Sequence, residues 1–313
     1  MIAVLMPVFN EEDIIYQNVQ TVHELLQKEA IDHTFLLVDD GSRDRTWEEM
    51  NRLADDLPGI TLLRLSRNFG KEAALCAGLE HAEGDAVLVM DADLQHPPAC
   101  IPEMVRLWRQ EGYDVVEGVK RSRGKESFFA KGFALLFYRR FRKSTGMDIG
   151  VASDFKLMDR AVVEAWKQFG EKDTFFRGLS AWEGFRRYAL PFDVAPRAGG
   201  KSKWSLRGLI RLAIHSLTSY TAAPLFFVFW LGIVTGVAAL LMIVDTLYNF
   251  FSGRAATGFS TVILLQLLIG SAIMLSLSVI GLYVAKIYEE VKGRPRYLLR
   301  QVRKPEQKEK DHG

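Results

Sequence analysis

The sequence predicts an α/β protein with a mostly parallel sheet, followed by two long apolar helices. Two observations support this fold class. Before residue 100, four apolar runs each end in a polar turn, and a helical stretch follows each turn. In the last third, the uncharged runs 216–244 and 255–285 each exceed the roughly 20 apolar residues that cross a bilayer.

The four predicted strands all end in polar segments that carry carboxylate, amide or basic side chains. The strands are predicted at residues 2–5, 36–38 and 60–65 and in a run that ends at Met90. The polar segments that follow them are 6–12, 39–46, 67–72 and 91–98. Ligands of parallel sheets bind beyond the carboxyl ends of the strands. We therefore expect all four segments to meet at one cleft.

The fourth strand ends in a carboxylate pair, Asp91 and Asp93, separated by one residue. Carboxylates at a strand end can hold a divalent cation while other ligand positions remain free for a diphosphate. Alone, this pattern is also typical of a solvated turn. The three neighbouring polar segments favour a sugar-nucleotide site instead.

Five segments together resemble one enzyme family. They are Met6-Pro7-Val8-Phe9-Asn10-Glu11-Glu12, Val38-Asp39-Asp40-Gly41-Ser42, Arg67-Asn68-Phe69-Gly70-Lys71-Glu72, Asp91-Ala92-Asp93-Leu94-Gln95-His96 and Ser153-Asp154-Phe155-Lys156-Leu157. In this order they resemble a family 2 inverting glycosyltransferase with the GT-A nucleotide-sugar-binding fold. The resemblance covers about residues 1–290 and is greatest to the polyprenyl-phosphate sugar transferases, which include bactoprenol glucosyltransferases and dolichyl-phosphate mannose synthase. Ser153 and Lys156, where relatives often carry Gly and Arg, and Lys120 depart from the family pattern.

The resemblance implies a metal and two catalytic carboxylates. Asp91, Asp93 and Gln95 would hold Mg²⁺ or Mn²⁺ against the donor diphosphate, and Asp93 would stabilise the leaving group through it. Asp154 is the candidate base. Because a phosphate acceptor is already anionic near neutral pH, positioning by Asp154 remains an alternative to proton removal.

The first strand ends are expected to recognise the nucleotide, because carboxylate and hydroxyl oxygens can accept hydrogen bonds from a base N–H and from ribose hydroxyls. The predicted nucleotide-sugar-binding residues are Pro7, Asn10, Glu11, Asp39, Asp40, Ser42, Asn68, Lys71, Asp91 and Ala92. In the alternative reading, Asp39 or Asp40 caps the next helix. Asp159 is predicted to cap the helical stretch 161–168.

A basic segment at residues 120–143 contains nine Lys or Arg residues and one acid, interleaved with aromatic residues. This pattern favours an anionic membrane surface, and residues 203–219 suggest a second interfacial helix. A core-facing helix with a solvated basic face is the alternative for the first segment, and no nucleic-acid module is recognisable. Candidates for binding the lipid phosphate, or alternatively the donor diphosphate, are Arg121, Arg123, Arg139 and Lys203.

The two apolar runs are predicted to form a transmembrane hairpin. Many basic residues flank the hairpin, whereas its connector, 245–254, carries only Arg254, so the catalytic domain and tail are expected in the cytoplasm. The predicted organisation is a catalytic domain at 1–200, an interfacial helix at 201–219, two spans within 220–287 and a basic tail at 288–313. No signal peptide is recognised, and Cys76 and Cys100 lack metal-site spacing, which favours a reducing compartment.

The composition leaves room for one core and a second module, with 313 residues, 49% hydrophobic residues and a net charge of +2. The predicted reaction moves a sugar from a nucleoside diphosphate, UDP-glucose or UDP-N-acetylglucosamine, to undecaprenyl phosphate on the cytoplasmic face. A processive polysaccharide synthase is the first alternative, but the chain lacks a Gln-x-x-Arg-Trp segment. A flippase or scaffold with a degenerate transferase domain is the second. The oligomeric state stays open.

Overall fold

The computed structural model describes residues 1–120, 154–168, 176, 184–192, 223–252 and 259–305. The chain divides into two compact units. One contains Met1–Ser202 and Pro295–Gly313, and the other contains Lys203–Arg294.

The first part of the chain alternates strands and helices, as the sequence predicts. The elements are β1 (Ile2–Val8), α1 (Ile15–Lys28), β2 (His33–Asp39), α2 (Thr46–Asp56), β3 (Ile60–Leu65), α3 (Lys71–His81), β4 (Ala86–Val89) and α4 (Ile101–Glu111). A single 3₁₀ turn, Pro98–Cys100, precedes α4. After α4 come β5 (Val115–Lys120), β6 (Lys156–Asp159), α5 (Arg160–Lys167) and β7 (Arg187–Phe192).

The strands form one sheet in the order β7-β5-β6-β4-β1-β2-β3, with a further strand beside β3. The strands β4, β1, β2 and β3 are parallel, so their carboxyl ends lie at one edge. The strand β6 runs antiparallel to both β4 and β5. The mostly parallel α/β fold class is confirmed.

Helices cover both faces of this sheet, because successive side chains of a strand point to opposite faces. On β1, Val4 and Met6 pack into one buried cluster with α1, α2 and α4. Ala3 and Leu5 pack into the other with α3 and α5. Apolar residues on alternate positions thus fix β1 at the centre of a three-layer core.

The C-terminal segment differs from the prediction. Residues 288–313 were predicted as a basic tail outside the catalytic domain, but Leu299–Arg303 forms β8, antiparallel to β3. The free backbone groups of β3 explain this pairing, because an edge strand offers unpaired donors and acceptors. Tyr297 and Leu299 also pack against the second cluster. No residue of β8 is buried, so the strand carries no buried apolar pattern that the sequence could reveal.

The second unit contains the two apolar helices α6 (Ala223–Phe251) and α7 (Phe259–Val291), which pack against each other. Within them, Leu225–Asn249 and Leu265–Val291 are long and apolar enough to cross a membrane, with mean hydropathies of 2.5 and 2.2. These apolar windows are not buried within the protein. The residues predicted as interfacial helices, 120–143 and 203–219, lie almost entirely outside the described part of the chain.

Candidate active site

A cavity of about 280 Å³ opens where β1 to β4 end. Residues from all four polar segments of the sequence line it. They are Pro7, Val8, Phe9, Glu11, Asp40, Asn68, Gly70, Lys71, Ala74, Asp91, Ala92 and Asp93. The parallel arrangement therefore brings together residues that are up to 86 positions apart, because 93 − 7 = 86.

The loop after β4 carries Asp91 and Asp93 into the cavity and is held from two directions. The Asn18 amide, on α1, donates a 2.7 Å hydrogen bond to the Ala92 carbonyl between the two acids. The Gln95 amide donates to Asp93 Oδ2 at 2.5 Å, and the Gln95 N–H donates to Asp93 Oδ1 at 3.1 Å. Gln95 thus orients Asp93, whereas its predicted role as a metal ligand stays a prediction.

Lys71 joins the Asp91 carboxylate to that of Asp154. Its Nζ lies 2.5 Å from Asp91 Oδ1 and 2.7 Å from Asp154 Oδ2. Burial lowers the pKa of Lys71, but the two carboxylates outweigh burial and leave this pKa above its usual value. Lys71 is therefore a cation at neutral pH. As the first residue of α3, it contributes a positive charge at the cavity wall.

The antiparallel strand β6 explains how Asp154 reaches the site. Lys156 on β6 is the register partner of Val89 on β4. Because the two strands run in opposite directions, Asp154 precedes Lys156 by two residues where Asp91 follows Val89 by two. The same register places both carboxylates at one end of the strand pair, although they are 63 positions apart, because 154 − 91 = 63. Asp154 does not line the cavity itself and contacts it through Lys71.

Asp40 fixes the turn before α3. Its two carboxylate oxygens accept hydrogen bonds from the N–H groups of Phe69 and Gly70, at 2.7 and 2.9 Å. Burial raises the pKa of Asp40, and the two backbone donors counteract this. A carboxylate that accepts two backbone hydrogen bonds and lines the cavity sets the position of Asn68 and Lys71.

The interpretation of Asp39 or Asp40 as the cap of the next helix is wrong. In the first turn of α2, the N–H of Thr46 donates to Asp44 Oδ1 at 3.1 Å instead. Asp39 accepts from the N–H of Ser42 at 2.8 Å and faces Arg64 Nε at 3.1 Å. The predicted cap Asp159 accepts from the N–H of Ala161 at 2.9 Å, as expected.

Three of the predicted nucleotide-binding residues, Asn10, Asp39 and Ser42, do not line the cavity. The N–H of Asn10 donates to Ser42 Oγ at 3.0 Å, and Asn10 Oδ1 accepts from the N–H of Arg43 at 3.0 Å. These bonds tie the turn after β1 to the turn after β2. Asn10 adopts a φ of 53°, which Asn tolerates better than most residues. The predicted contacts of Asn10, Asp39 and Ser42 with the nucleotide stay predictions.

Gly41 permits a close approach between the turns after β2 and β3. Its φ is +68°, and a Cβ at this position would lie 2.4 Å from the carbonyl carbon of Arg67. No side chain fits there without moving the backbone of the turn after β3. The Asp40–Gly41 pair therefore combines a hydrogen-bond acceptor with a position that tolerates only glycine.

Several acids concentrate negative charge at the cavity. Burial raises the pKa of Glu11, and the neighbouring Asp93, Asp44 and Asp91 raise it further. Among the described residues that line the cavity, Lys71 is the one cation. Carboxylates that repel one another in this way favour the binding of a cation.

Two functional residues escaped the sequence analysis. Arg64 lies in β3 and contacts both Asp39 and, at 3.3 Å, the Ser42 carbonyl. Its only signal was a charge within an apolar strand. Asn18 carries a weaker signal, a polar residue between buried positions of α1. The predicted acceptor-phosphate residues Arg121, Arg123, Arg139 and Lys203 lie outside the described residues.

A mostly parallel sheet that gathers an Asp-x-Asp pair, a lysine and further acids at its carboxyl edge defines a glycosyltransferase of the GT-A type. The family model named "Glycosyl transferase family 2" matches residues 3–166. The chain therefore belongs to glycosyl transferase family 2.

Relatives match over nearly the whole chain. The uncharacterized glycosyltransferase YkcC of Bacillus subtilis is 37% identical over 95% of this chain and 92% of its own length. The prophage bactoprenol glucosyl transferase homolog of Escherichia coli is 34% identical over 97% of this chain and 99% of its own. The bactoprenol glucosyl transferase of Shigella phage SfII is also 34% identical, over 96% of this chain and 97% of its own.

Solved structures show a weaker likeness. Glucosyl-3-phosphoglycerate synthase from Mycobacterium tuberculosis, in complex with Mn²⁺ and UDP-glucose, has 19% identity and a TM-score of 0.46 over 70% of this chain and 77% of its own. A mannosyltransferase from Pyrobaculum calidifontis, in complex with GDP-mannose and Mn²⁺, has 18% identity and the same TM-score over 88% of this chain and 86% of its own.

Proposed function

We propose that this glycosyltransferase moves a hexose from a UDP donor to the phosphate of a polyprenyl lipid at the cytoplasmic face of a membrane. The observation that carries the proposal is the bridge from Asp91 through Lys71 to Asp154 beside the cavity. One end of this bridge belongs to the loop expected to face a diphosphate. The other end belongs to the segment expected to face an acceptor. A single lysine therefore connects the proposed donor side of the site with its proposed acceptor side.

The carboxylates at the cavity fit a divalent cation. Within the described residues, no group of three or more His, Cys, Asp or Glu side chains is arranged to hold a metal by itself. Mg²⁺ usually needs only one or two carboxylates when substrate phosphates complete its shell. Asp91 and Asp93 meet that need, because both line the cavity. A bound Mg²⁺ or Mn²⁺ would offset the negative charge of the donor diphosphate and of the leaving nucleotide.

The donor is proposed to lie along the cavity from the turn after β1 to the loop after β4. Phe9, which is 40% exposed, offers an apolar ring at the cavity wall, and Pro7 and Asn68 line the same wall. Lys71 can donate to a phosphate oxygen as well as to its carboxylate partners, since an ammonium carries three N–H donors. The names of the bactoprenol relatives favour glucose as the first sugar to test.

The acceptor is proposed to approach from the side of Asp154. A lipid phosphate is ionised near neutral pH, so the reaction needs little proton removal. Asp154 is 6% exposed and hydrogen-bonded to Lys71, which suits a group that orients its neighbours. Arg121, Arg123, Arg139 and Lys203 are proposed to hold the lipid phosphate, since guanidinium groups match phosphate geometry and an ammonium binds phosphate as a point charge.

The membrane location rests on the two apolar helices and on the basic residues that flank them. α6 and α7 expose large apolar side chains along their lengths, including Phe226, Trp230 and Leu241. Such a surface is stable in lipid rather than in water. We propose that both helices span the membrane and that the catalytic unit faces the cytoplasm.

The decisive experiment is a transfer assay with the full chain in detergent or lipid. Polyprenyl phosphate and Mg²⁺ or Mn²⁺ are incubated with a panel of labelled UDP-sugars, and the organic phase is analysed for a labile phosphate-linked sugar. We expect incorporation from one donor, with UDP-glucose tested first. Asp93→Asn serves as the inactive control. If label enters a polymer instead, the reaction is that of a processive synthase; if no donor labels the lipid, the proposal is wrong.

A further inference from the structure

A row of alternating charges runs from the cavity across the sheet. It contains, in order, Asp91, Lys71, Asp154, Lys156, Glu117 and Arg187. Lys156 Nζ lies 3.0 Å from Glu117 Oε1, and Arg187 forms an ion pair with the other oxygen of Glu117. The proposed reaction uses the first half of this row and assigns nothing to the second half.

The strand order explains why the row is continuous. β4, β6, β5 and β7 are neighbours in that order, and Glu117 on β5 is the register partner of Lys156 on β6. Asp154 lies two residues before Lys156, which is the first residue of β6. The Asp154 carboxylate interacts electrostatically with Lys156. The second half of the row therefore ends directly beside Asp154.

The members beside Asp154 are buried. Lys156 is 0% exposed and Glu117 is 5% exposed. Burial raises the pKa of Glu117, but Lys156 and Arg187 outweigh burial and hold this pKa below its usual value. Glu117 is therefore ionised at neutral pH. Burial lowers the pKa of Lys156, and the carboxylates of Glu117 and Asp154 counteract this. The 3.0 Å contact with the ionised Glu117 favours the charged form of the lysine. Burial of an ion pair is often no more stabilising than an apolar pair of similar volume, so stability alone is a weak reason for this pair.

Packing leaves Lys156 little freedom. Its ammonium lies 4.6 Å from the centroid of the Phe176 ring. The adjacent Phe155 stacks on His96 with 5.1 Å between ring centroids, and a Cβ at Gly118 would come within 2.5 Å of Phe155. The segment Asp154–Phe155–Lys156 is thus fixed on both faces of the sheet. A fixed cation two residues from Asp154 can determine where that carboxylate lies.

We propose that Lys156, held by Glu117, is a positioning residue for Asp154 and keeps its carboxylate against Lys71 at the cavity. This inference rests on the proposed function, in which Asp154 orients the acceptor. Lys156 itself touches neither substrate. Its loss should therefore affect turnover more than donor binding, because the donor contacts lie at the ends of β1 to β4.

The test is a double substitution that keeps the core filled. Lys156→Met with Glu117→Leu replaces the buried ion pair by apolar side chains of similar volume, which cores commonly tolerate. Lys156→Arg keeps the charge, and Glu103→Gln on α4 is the control, because it disrupts only the exposed pair with Arg106. Turnover number, KM for polyprenyl phosphate, the Kd of UDP with Mn²⁺ and the unfolding midpoint are measured for each.

We expect the double variant to fold, to bind UDP within about twofold of the unmodified chain, and to lose about tenfold or more in kcat. Lys156→Arg alone, which keeps a positive charge beside Glu117, should keep most of the kcat of the unmodified chain, and Glu103→Gln should leave kcat unchanged. A folded double variant with unchanged kcat would overturn the inference. If the double variant does not fold, Glu117→Gln is measured in its place. A loss of about tenfold or more in its kcat would support the inference, and an unchanged kcat would overturn it. Absence of lipid glycosylation by the unmodified chain would contradict the proposed function instead.

Discussion

At the residue scale, the loop after β4 is held by a contact from α1 and by contacts within the loop itself. Asp93 is oriented by Gln95, and the loop backbone is held by Asn18 through the Ala92 carbonyl. Asp91 is held separately by Lys71. The two acids therefore have different partners, although they are only two residues apart. Their substitutions should accordingly have different effects.

Asp93→Asn should abolish transfer without unfolding the chain. The amide keeps the size of the side chain but removes the charge that would hold a cation beside the diphosphate. We expect kcat to fall by about a thousandfold or more, and a chelator should do the same to the unmodified chain. The unfolding midpoint should change little, because Asp93 is exposed. Full activity after thorough chelation would contradict the metal role.

His23 on α1 and His33 at the start of β2 form a pair that should make the stability of the fold depend on pH. His33 Nδ1 lies 2.7 Å from the Ile31 carbonyl, which can only accept, so His33 Nε2 is left to accept from His23 Nδ1 at 2.9 Å. Burial lowers the pKa of His23, and His33 lowers it further. The unfolded chain therefore binds a proton at His23 more readily than the folded chain does. The contribution of neutral His23 to the free energy of unfolding is present above about pH 6.5 and is lost as pH falls through the pKa of the folded state.

We therefore expect the unfolding midpoint to fall between about pH 7.5 and about pH 5.5. His23→Gln should make this dependence shallower, because a titrating group with a shifted pKa is removed. His81→Gln on α3 is the matched control and should leave the slope unchanged. Equal slopes for the unmodified chain and His23→Gln would show that the pair does not couple protonation to folding.

At the element scale, the turns after β2 and β3 act as one unit. Asp40 accepts two backbone hydrogen bonds from the second turn, and Gly41 lets the two backbones meet. This unit determines where α3 begins and therefore where Lys71 lies.

Gly41→Ala should damage this unit severely. The new Cβ would meet backbone atoms of Arg67 at 2.4 to 2.8 Å, in addition to the strain of a positive φ. We expect the apparent unfolding free energy to fall by more than about 2 kcal/mol and UDP affinity to decrease. Gly59→Ala is the matched control: its φ is +79°, but its Cβ would meet only Thr34, at 3.6 Å. It should cost about 1 kcal/mol, and equal losses for both variants would contradict the steric argument.

The sequence predicted those elements whose signals are local. The ends of β1 to β4 were recognisable because each apolar run stops at a polar segment. β6 was not, because its four residues include a buried lysine whose burial depends on Glu117 from another strand. β8 was missed because none of its five residues is buried and its partner β3 is more than 200 residues earlier. Likewise, Arg64 and Asn18 gain their roles only from contacts made in three dimensions.

At the scale of the whole molecule, the chain leaves the catalytic unit, builds a pair of apolar helices and then returns to the same unit. Both connections between the units are therefore covalent, one before α6 and one after α7. In the proposed arrangement, an even number of spans is required, because both flanks belong to one cytoplasmic unit.

Cysteine labelling can test this arrangement. In a Cys100→Ser background, Ser252→Cys places a thiol at the end of α6, and Glu29→Cys places one on the exposed end of α1. An impermeant maleimide applied to right-side-out vesicles should modify Ser252→Cys alone. Glu29→Cys should react only after the vesicles are opened. Reversed labelling would invert the topology, and equal labelling from one side would exclude two complete spans.

The return of the chain to β3 also imposes an order on biosynthesis. β8 is made after both apolar helices, so the eight-stranded sheet cannot be complete on the ribosome until the hairpin has emerged. During that interval β3 is an open edge, the kind of surface that invites wrong pairing between nascent chains. During the same interval Arg64 places a charge on β3, and a charged side chain on an edge strand opposes such pairing. In the proposed arrangement, membrane insertion of the hairpin and closure of the enzyme's sheet thus become successive steps of a single maturation.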